Sequence, residues 1–221
     1  MSVNELIERI RKVKRSEVKS IIEKRVKEFE RIGRSSPNEI FKELCFCILT
    51  ANFNAGRSIE IQQKIENGFS TLGEKSLAIK LKELGHRYPN ARAKYIISAR
   101  KQKDKIIRQV KSVVGQIGKL SANGSDEFKL REWLVKNVKG LGYKEASHFL
   151  RNIGYKNVAI IDFHILDLLE RFGIIKKPKT LTRKKYLDLE EKLRKIANTT
   201  GLTLAELDLY LWYLETGKIL K

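Results

Sequence analysis

Apolar residues recur along the chain at spacings of three and four, and no stretch alternates convincingly with period two, so the pattern predicts an all-α protein. Leu6, Ile10 and Val13 open a first amphipathic helix, and Val18, Ile21, Ile22, Val26 and Phe29 continue or follow it. Ser36 before Pro37, with Glu39 three residues on, has the form of a capping box with proline in the first turn. The apolar run "FKELCFCILTA" behind it predicts a buried helix. Further helices are predicted at roughly 56–70, 74–84, 91–118, 126–138, 143–152, 163–172, 183–197 and 203–218, the last with Thr203 and Glu206 as a second capping box. Three prolines, no low-complexity linker and no internal repeat favour two helical lobes in one compact body over separate beads.

Composition narrows the partner. The chain has 221 residues, 42% hydrophobic and 33% charged, which suits an ordinary globular protein and excludes disordered and collagen-like classes. Forty-six Lys and Arg against 26 Asp and Glu leave a net charge of +20, a bias that favours a polyanion, with nucleic acid first. Charge kept for solubility alone is the competing reading. The bias is uneven: nine Lys or Arg and one acid, Asp104, fall between Arg92 and Lys119, whereas the first thirty residues mix nine basic with six acidic. Ile96, Ile97, Ile106, Ile107, Val110 and Val113 make that basic stretch amphipathic, so its charge reads as a solvated face with phosphate contact as a second use.

Cys45 and Cys47 are the only cysteines and read as packing residues, and His86, His148 and His164 lie in no zinc-ligand spacing. We therefore expect neither disulfide nor metal cluster, and a reducing compartment. The amino terminus "MSVNELIERIRKVKR" lacks the apolar centre of a secretory signal, and no run approaches a membrane span, which points to the cytoplasm and to no membrane partner.

Candidate chemistry concentrates in "KGLGYKEASHFLRNIGYKNVAIIDFHILDLL", residues 139–169. Its first half predicts helix, tight turn, helix: Trp133, Leu134 and Val138 give one apolar face, Ala146, Phe149, Leu150 and Ile153 the other, and Leu141 plugs the turn. Gly140 and Gly142 allow positive φ and leave the first amides of the second helix free for phosphate oxygens. The plain alternative is an ordinary tight connection. Lys144 shares its helix face with Ser147, His148 and Arg151, a face that by itself reads as solvated. "VAII" runs apolar into Asp162, which precedes the amphipathic Ile165, Leu168, Leu169 and Phe172 and so predicts an N-cap worth about 1 kcal/mol. A capping carboxylate keeps its charge and can still face a ligand.

The glycine-apolar-glycine turn, the alanine on the packed side of the second helix, the lysine at that helix's start and the later aspartate together resemble the helix-hairpin-helix DNA glycosylase superfamily. The resemblance implies that Lys144 is the nucleophile and Asp162 the electrostatic and proton-handling partner of a bifunctional glycosylase and abasic-site lyase. The loop between Gly154 and Asp162 departs from the superfamily pattern in having no proline. Breaking an N-glycosidic bond puts positive charge on C1′, so a carboxylate near the sugar and an amine that traps the carbon as a Schiff base suffice for base release and β-elimination of the 3′ phosphate. A free lysine is almost wholly protonated near neutral pH, so Lys144 must lose its proton when substrate closes over it, helped by desolvation and neighbouring cations. No cofactor is expected, and a structural monovalent cation at the hairpin is the one ion left open.

From the same resemblance come the remaining roles. Gly140, Leu141 and Gly142 contact DNA; His164, in the first turn after Asp162, meets a phosphate or simply packs; Asn52 in "ILTANFNAGRS" enters the duplex in place of the flipped nucleotide or is a turn cap, and Phe53 can add an apolar wedge. With no cysteine cluster and no room for an amino-terminal β domain, what remains resembles the compact type-2 8-oxoguanine DNA glycosylase/AP lyases. The tail "LDLYLWYLETGKILK" implies that Trp212 stacks on the base and that Lys221 reaches toward it, against a core role for Trp212. The expected architecture is two helical lobes with the active site in the cleft between them: residues 1–35 with 163–221 in one lobe, and 36–162 in the other, the hairpin lying at about 130–153. The expected partner is double-stranded DNA carrying 8-oxoguanine or abasic sites, met by a monomer near the nucleoid. The same scaffold acting on oxidised pyrimidines, and a hairpin module that binds DNA without chemistry, are the two rival readings.

Overall fold

The computed structural model describes residues 1–114 and 125–221, and among these it holds thirteen helices and no strand. They are α1 (Val3–Lys14), α2 (Val18–Gly33), α3 (Pro37–Thr50), α4 (Ala55–Ile65), α5 (Gly68–Thr71), α6 (Glu74–Glu83) and α7 (Pro89–Lys101), then α8 (Lys103–Val114), α9 (Ser125–Asn137), α10 (Tyr143–Asn152), α11 (Phe163–Arg171), α12 (Arg183–Thr200) and α13 (Leu204–Thr216). Helix starts follow the capping residues. Ser36 Oγ accepts from Glu39 N at 3.3 Å with Pro37 in the first turn, and Thr203 with Glu206 forms the complete reciprocal box.

Two predicted helices are in fact pairs. The 56–70 segment breaks where Glu66 takes a left-handed φ of +48° and ends α4. The 91–118 segment breaks at Gln102, whose N–H turns back to Ala99 O and begins α8 on a new axis. The first break is marked by the Asn67-Gly68 turn signal that follows Glu66, whereas the second carries no glycine or proline, so apolar periodicity runs through it unmarked. The last part of that segment, 115–118, the side chain of Val113, and Lys119 of the basic stretch lie outside the described residues.

Apolar side chains gather into two clusters. The first surrounds α3, in which every residue from Ile40 to Thr50 except Lys42 is buried, and it draws on α4 to α10 as far as Val158. Burying side chains such as Phe41, Leu44, Phe46 and Ile48 contributes about 1.5–3 kcal/mol each, which is why a helix with almost no polar face sits at the centre. Cys45 and Cys47 are free, buried thiols within it, and burial pushes both thiols well up, away from the reactive thiolate. The second cluster joins Leu6, Ile10, Ile22 and Phe29 of α1 and α2 to Ala159, Ile161 and the apolar faces of α11, α12 and α13. The change of cluster falls between Val158 and Ala159, inside the chain that links the hairpin to Asp162.

Candidate active site

Helices α9 and α10 form the predicted hairpin. Leu141 is buried in the first cluster and Ala146 is fully buried behind it. The two glycines are not equivalent. Gly140 has φ +91°, and a Cβ there would stand 2.6 Å from the Tyr95 ring, so both backbone and space require glycine. Gly142 is extended, with φ −89°, and serves as N-cap of α10. Its N–H is not free as the turn suggested: it donates to Glu145 Oε2 at 3.1 Å, and a phosphate takes that amide only by displacing the carboxylate.

The face carrying Lys144 is not solvated either. Ser147, His148 and Arg151 are all buried, and the Lys144 side chain is only 21% exposed, with Nζ 3.7 Å from Glu145 Oε1. Burial pushes the His148 imidazole well below its usual range, and the Arg151 and Lys144 cations push it further. Its edge meets Phe46 at 5.3 Å between centroids.

Asp162 caps α11, with Oδ1 accepting from Ile165 N at 3.0 Å. A cleft of about 980 Å³ is lined by Lys144, His148 and Arg151 from α10, by Asp162, Phe163 and His164, and by Asp208 and Trp212 from α13. Asn52, Tyr88 and Lys221 reach the same space. Asp208 is its most perturbed acid. Its carboxyl, with side-chain exposure of 10%, is pushed up to about 6 by burial; Arg151, 3.6 Å away, opposes this and Asp162 reinforces it. Trp212 lies on the cleft, meeting the His164 ring edge-on at 4.8 Å, and its buried indole N–H has no partner among the described residues. Phe163 stands 62% exposed at the mouth, tilted over His164 at 4.0 Å.

At the far side the carboxyl-terminal residue is tied into the first cluster. Lys221 Nζ donates to Glu43 Oε1 at 2.8 Å and to Gln62 Oε1, and lies 4.6 Å from the centre of the Phe46 ring. Glu43, buried in α3, also accepts from Gln62 Nε2 and Asn152 Nδ2, both at 3.0 Å. A buried carboxylate with three donors is fully satisfied.

The chain as a whole has close relatives. A family model described as 8-oxoguanine DNA glycosylase matches residues 22–202. The chain belongs to the 8-oxoguanine DNA glycosylase family. It is 54% identical to the 8-oxoguanine DNA glycosylase/AP lyase of Korarchaeum cryptofilum, covering 100% of both chains. It superposes with a TM-score of 0.86 on a crystal structure of the Methanocaldococcus jannaschii 8-oxoguanine glycosylase/lyase in complex with a 15mer DNA containing 8-oxoguanine; identity is 51%, over 98% of this chain and 100% of that one. The Thermotoga maritima 8-oxoguanine DNA glycosylase superposes at 0.88, with 43% identity over 99% and 100% of the two chains.

Within the family fold, the loop carrying Asn52 is held from behind. His86 Nε2 lies 3.1 Å from Leu49 O and Arg92 donates to Ala51 O, so two distant side chains satisfy carbonyls at the end of α3. Tyr88 N donates to His86 Nδ1 at 3.0 Å, and Phe53 stacks on that imidazole at 4.2 Å instead of projecting as a second wedge. Asn52 is exposed with a left-handed φ of +54°, whereas the turn's capping asparagine is Asn54, which accepts from Arg57 N at 3.0 Å. The basic stretch is likewise divided. Arg92 and Arg100 turn inward to cap carbonyls, leaving Lys94, Lys101, Lys105, Arg108 and Lys111 exposed. Asp208, Phe163 and Glu43 were not singled out from sequence. Asp208 did leave a trace: it interrupts the apolar run of α13 one turn before Trp212, on the same face.

Proposed function

We propose that the protein excises 8-oxoguanine from double-stranded DNA and then cleaves the strand at the resulting abasic site. The observation that carries this is the convergence of Lys144 and Asp162, from different helices, on one cleft that also holds Trp212 and the buried carboxylate of Asp208. In this reading the flipped nucleotide enters that cleft and Lys144, as the neutral amine, attacks C1′ while the bond from C1′ to the base breaks. Asp162 offsets the positive charge that builds on the sugar. The aminal so formed opens by breaking its C1′–O4′ bond, the proton that the attacking nitrogen gives up going to O4′; the resulting imine acidifies the C2′ hydrogen, and loss of that proton expels the 3′ phosphate. No cofactor enters these steps.

The base is read by the walls. Stacking on Trp212 contributes roughly 1–3 kcal/mol without separating guanine from its oxidised form. Asp208 supplies a hydrogen-bond acceptor, and 8-oxoguanine carries an N7 hydrogen that guanine lacks. Lys221, already engaged with Glu43, closes the far wall. Asn52, exposed on a left-handed turn, fills the hole in the duplex, and His164 and the hairpin backbone hold flanking phosphates. The +20 charge supports a non-specific attraction to the duplex and, with it, a nucleoid-associated location. Among the described residues no helix is long and apolar enough to cross a membrane.

The test is borohydride trapping on a duplex with one 8-oxoguanine. Wild-type protein is expected to form a covalent complex and Lys144→Gln none. Wild-type binding without trapping favours a module without lyase chemistry, and faster single-turnover excision of thymine glycol than of 8-oxoguanine moves the substrate to oxidised pyrimidines.

A further inference from the structure

Residues 155–161, which join α10 to Asp162, belong to no helix and have no neighbouring strand among the described residues, yet Val158 to Ile161 are buried. Buried backbone N–H groups need partners, and here side chains provide them at alternate positions. Asn157 N donates to Glu127 Oε2 at 2.7 Å, Ala159 N to Glu190 Oε1 at 2.7 Å, and Ile161 N to the Tyr186 hydroxyl at 3.2 Å. That hydroxyl in turn donates to Ala159 O at 2.7 Å. Side chains of α9 and α12 thus stand in for the adjacent strand of a sheet.

Two of these groups also reach the helix that carries Lys144. Glu190 accepts two bonds from Arg131, at 2.6 and 2.7 Å, and Arg131 Nη1 is 3.2 Å from the hydroxyl of Ser147. The Tyr186 hydroxyl lies 3.4 Å from the same Ser147 Oγ. Ser147 sits on α10 three residues after Lys144, and Ile161 is the residue before Asp162. One buried network therefore ends on both sides of the cleft. A buried ion pair is a poor source of stability, because desolvating Arg131 and Glu190 costs about as much as their attraction returns; its value is in fixing geometry.

We propose that Tyr186 and Glu190 are positioning residues for the base-excision reaction, setting the placement of Asp162 relative to Lys144 through Ser147 and the backbone of residues 159–161. This rests on the reading of Lys144 and Asp162 as the reacting pair. The decisive variant is Tyr186→Phe, which removes one hydroxyl and keeps the ring. With enzyme saturating over an 8-oxoguanine duplex, its single-turnover rate constant is expected to fall about ten- to a hundredfold, with duplex affinity and the final trapped fraction near wild type. Glu127→Gln, which loosens the same stretch at its far end without touching α10, is expected to lower Tm and leave the rate constant unchanged. Should Tyr186→Phe not accumulate as folded protein, Ser147→Ala is expected to slow excision in the same way. A variant with fewer active molecules but an unchanged rate constant assigns the network a purely structural role and overturns the proposal, as does equal slowing by Glu127→Gln. Wild-type protein that traps nothing overturns the reading of the site, and the proposal with it.

Discussion

Asp162 Oδ1 holds the Ile165 amide at 3.0 Å, so in the proposed reading capping and chemistry meet in one side chain. Asparagine caps about as well as aspartate but carries no charge, and Asp162→Asn separates the two duties. Its Tm is expected within a few degrees of wild type while excision falls about a hundredfold or more, read by thermal melts beside single-turnover assays. Asp208 behaves differently, because its folded value of about 6 lies above the ordinary 3.8. The native chain holds that proton more tightly than the unfolded chain does. The group's stabilisation is thus fully present below about pH 4 and is lost as pH rises through about 6. Thermal melts at several pH values should show Asp208→Asn gaining stability relative to wild type between those two points. A gap that stays constant with pH would place the carboxyl at its ordinary value.

Between neighbouring elements, the hairpin turn makes a sharper demand at one glycine than at the other. Gly140→Ala forces φ +91° on a residue with a Cβ and drives that atom toward Tyr95, so about 1–3 kcal/mol of stability and part of the duplex affinity should go together. Gly142→Ser meets only the movable Glu145 carboxylate and supplies a favoured capping side chain, so its stability is expected to match or exceed wild type. Urea denaturation and duplex titration at fixed salt test both. Helix starts at Ser36, Asp162 and Thr203 were legible because a cap is a short-range device read within three residues. The break after Glu66 had its own local mark in Asn67-Gly68, which apolar periodicity read across; the one at Gln102 has no glycine or proline to mark it.

Across the whole molecule, Lys221 returns over the cleft to Glu43, 178 positions earlier, and makes the last residue part of the wall. Extending the chain beyond Lys221 is expected to reduce 8-oxoguanine excision more than nicking at a preformed abasic site, since only excision needs the base held. Equal loss in both reactions would show that the tail supports the fold alone. The charge of +20 also acts at this scale, but its distribution was only partly readable. Arg92 and Arg100 count toward the sum, yet they spend their guanidinium groups on the carbonyls of Ala51, Phe69 and Leu72.

What the sequence by itself determined is what lies within a few residues: apolar periodicity for the helices, caps for their starts, and a glycine turn with its plug at Leu141. The resemblance those residues carry was enough to reach the family. Tertiary structure alone decided which polar groups go inside. Glu43 meets Asn152 across 109 positions and Arg131 meets Glu190 across 59, and nothing local to Asn152, Arg131 or Glu190 announces burial. The physical reason is that a charge enters a low-dielectric interior only where a partner waits, and that partner comes from a distant part of the chain. The same holds for Asp208, whose raised affinity for its proton comes from the walls that bury it.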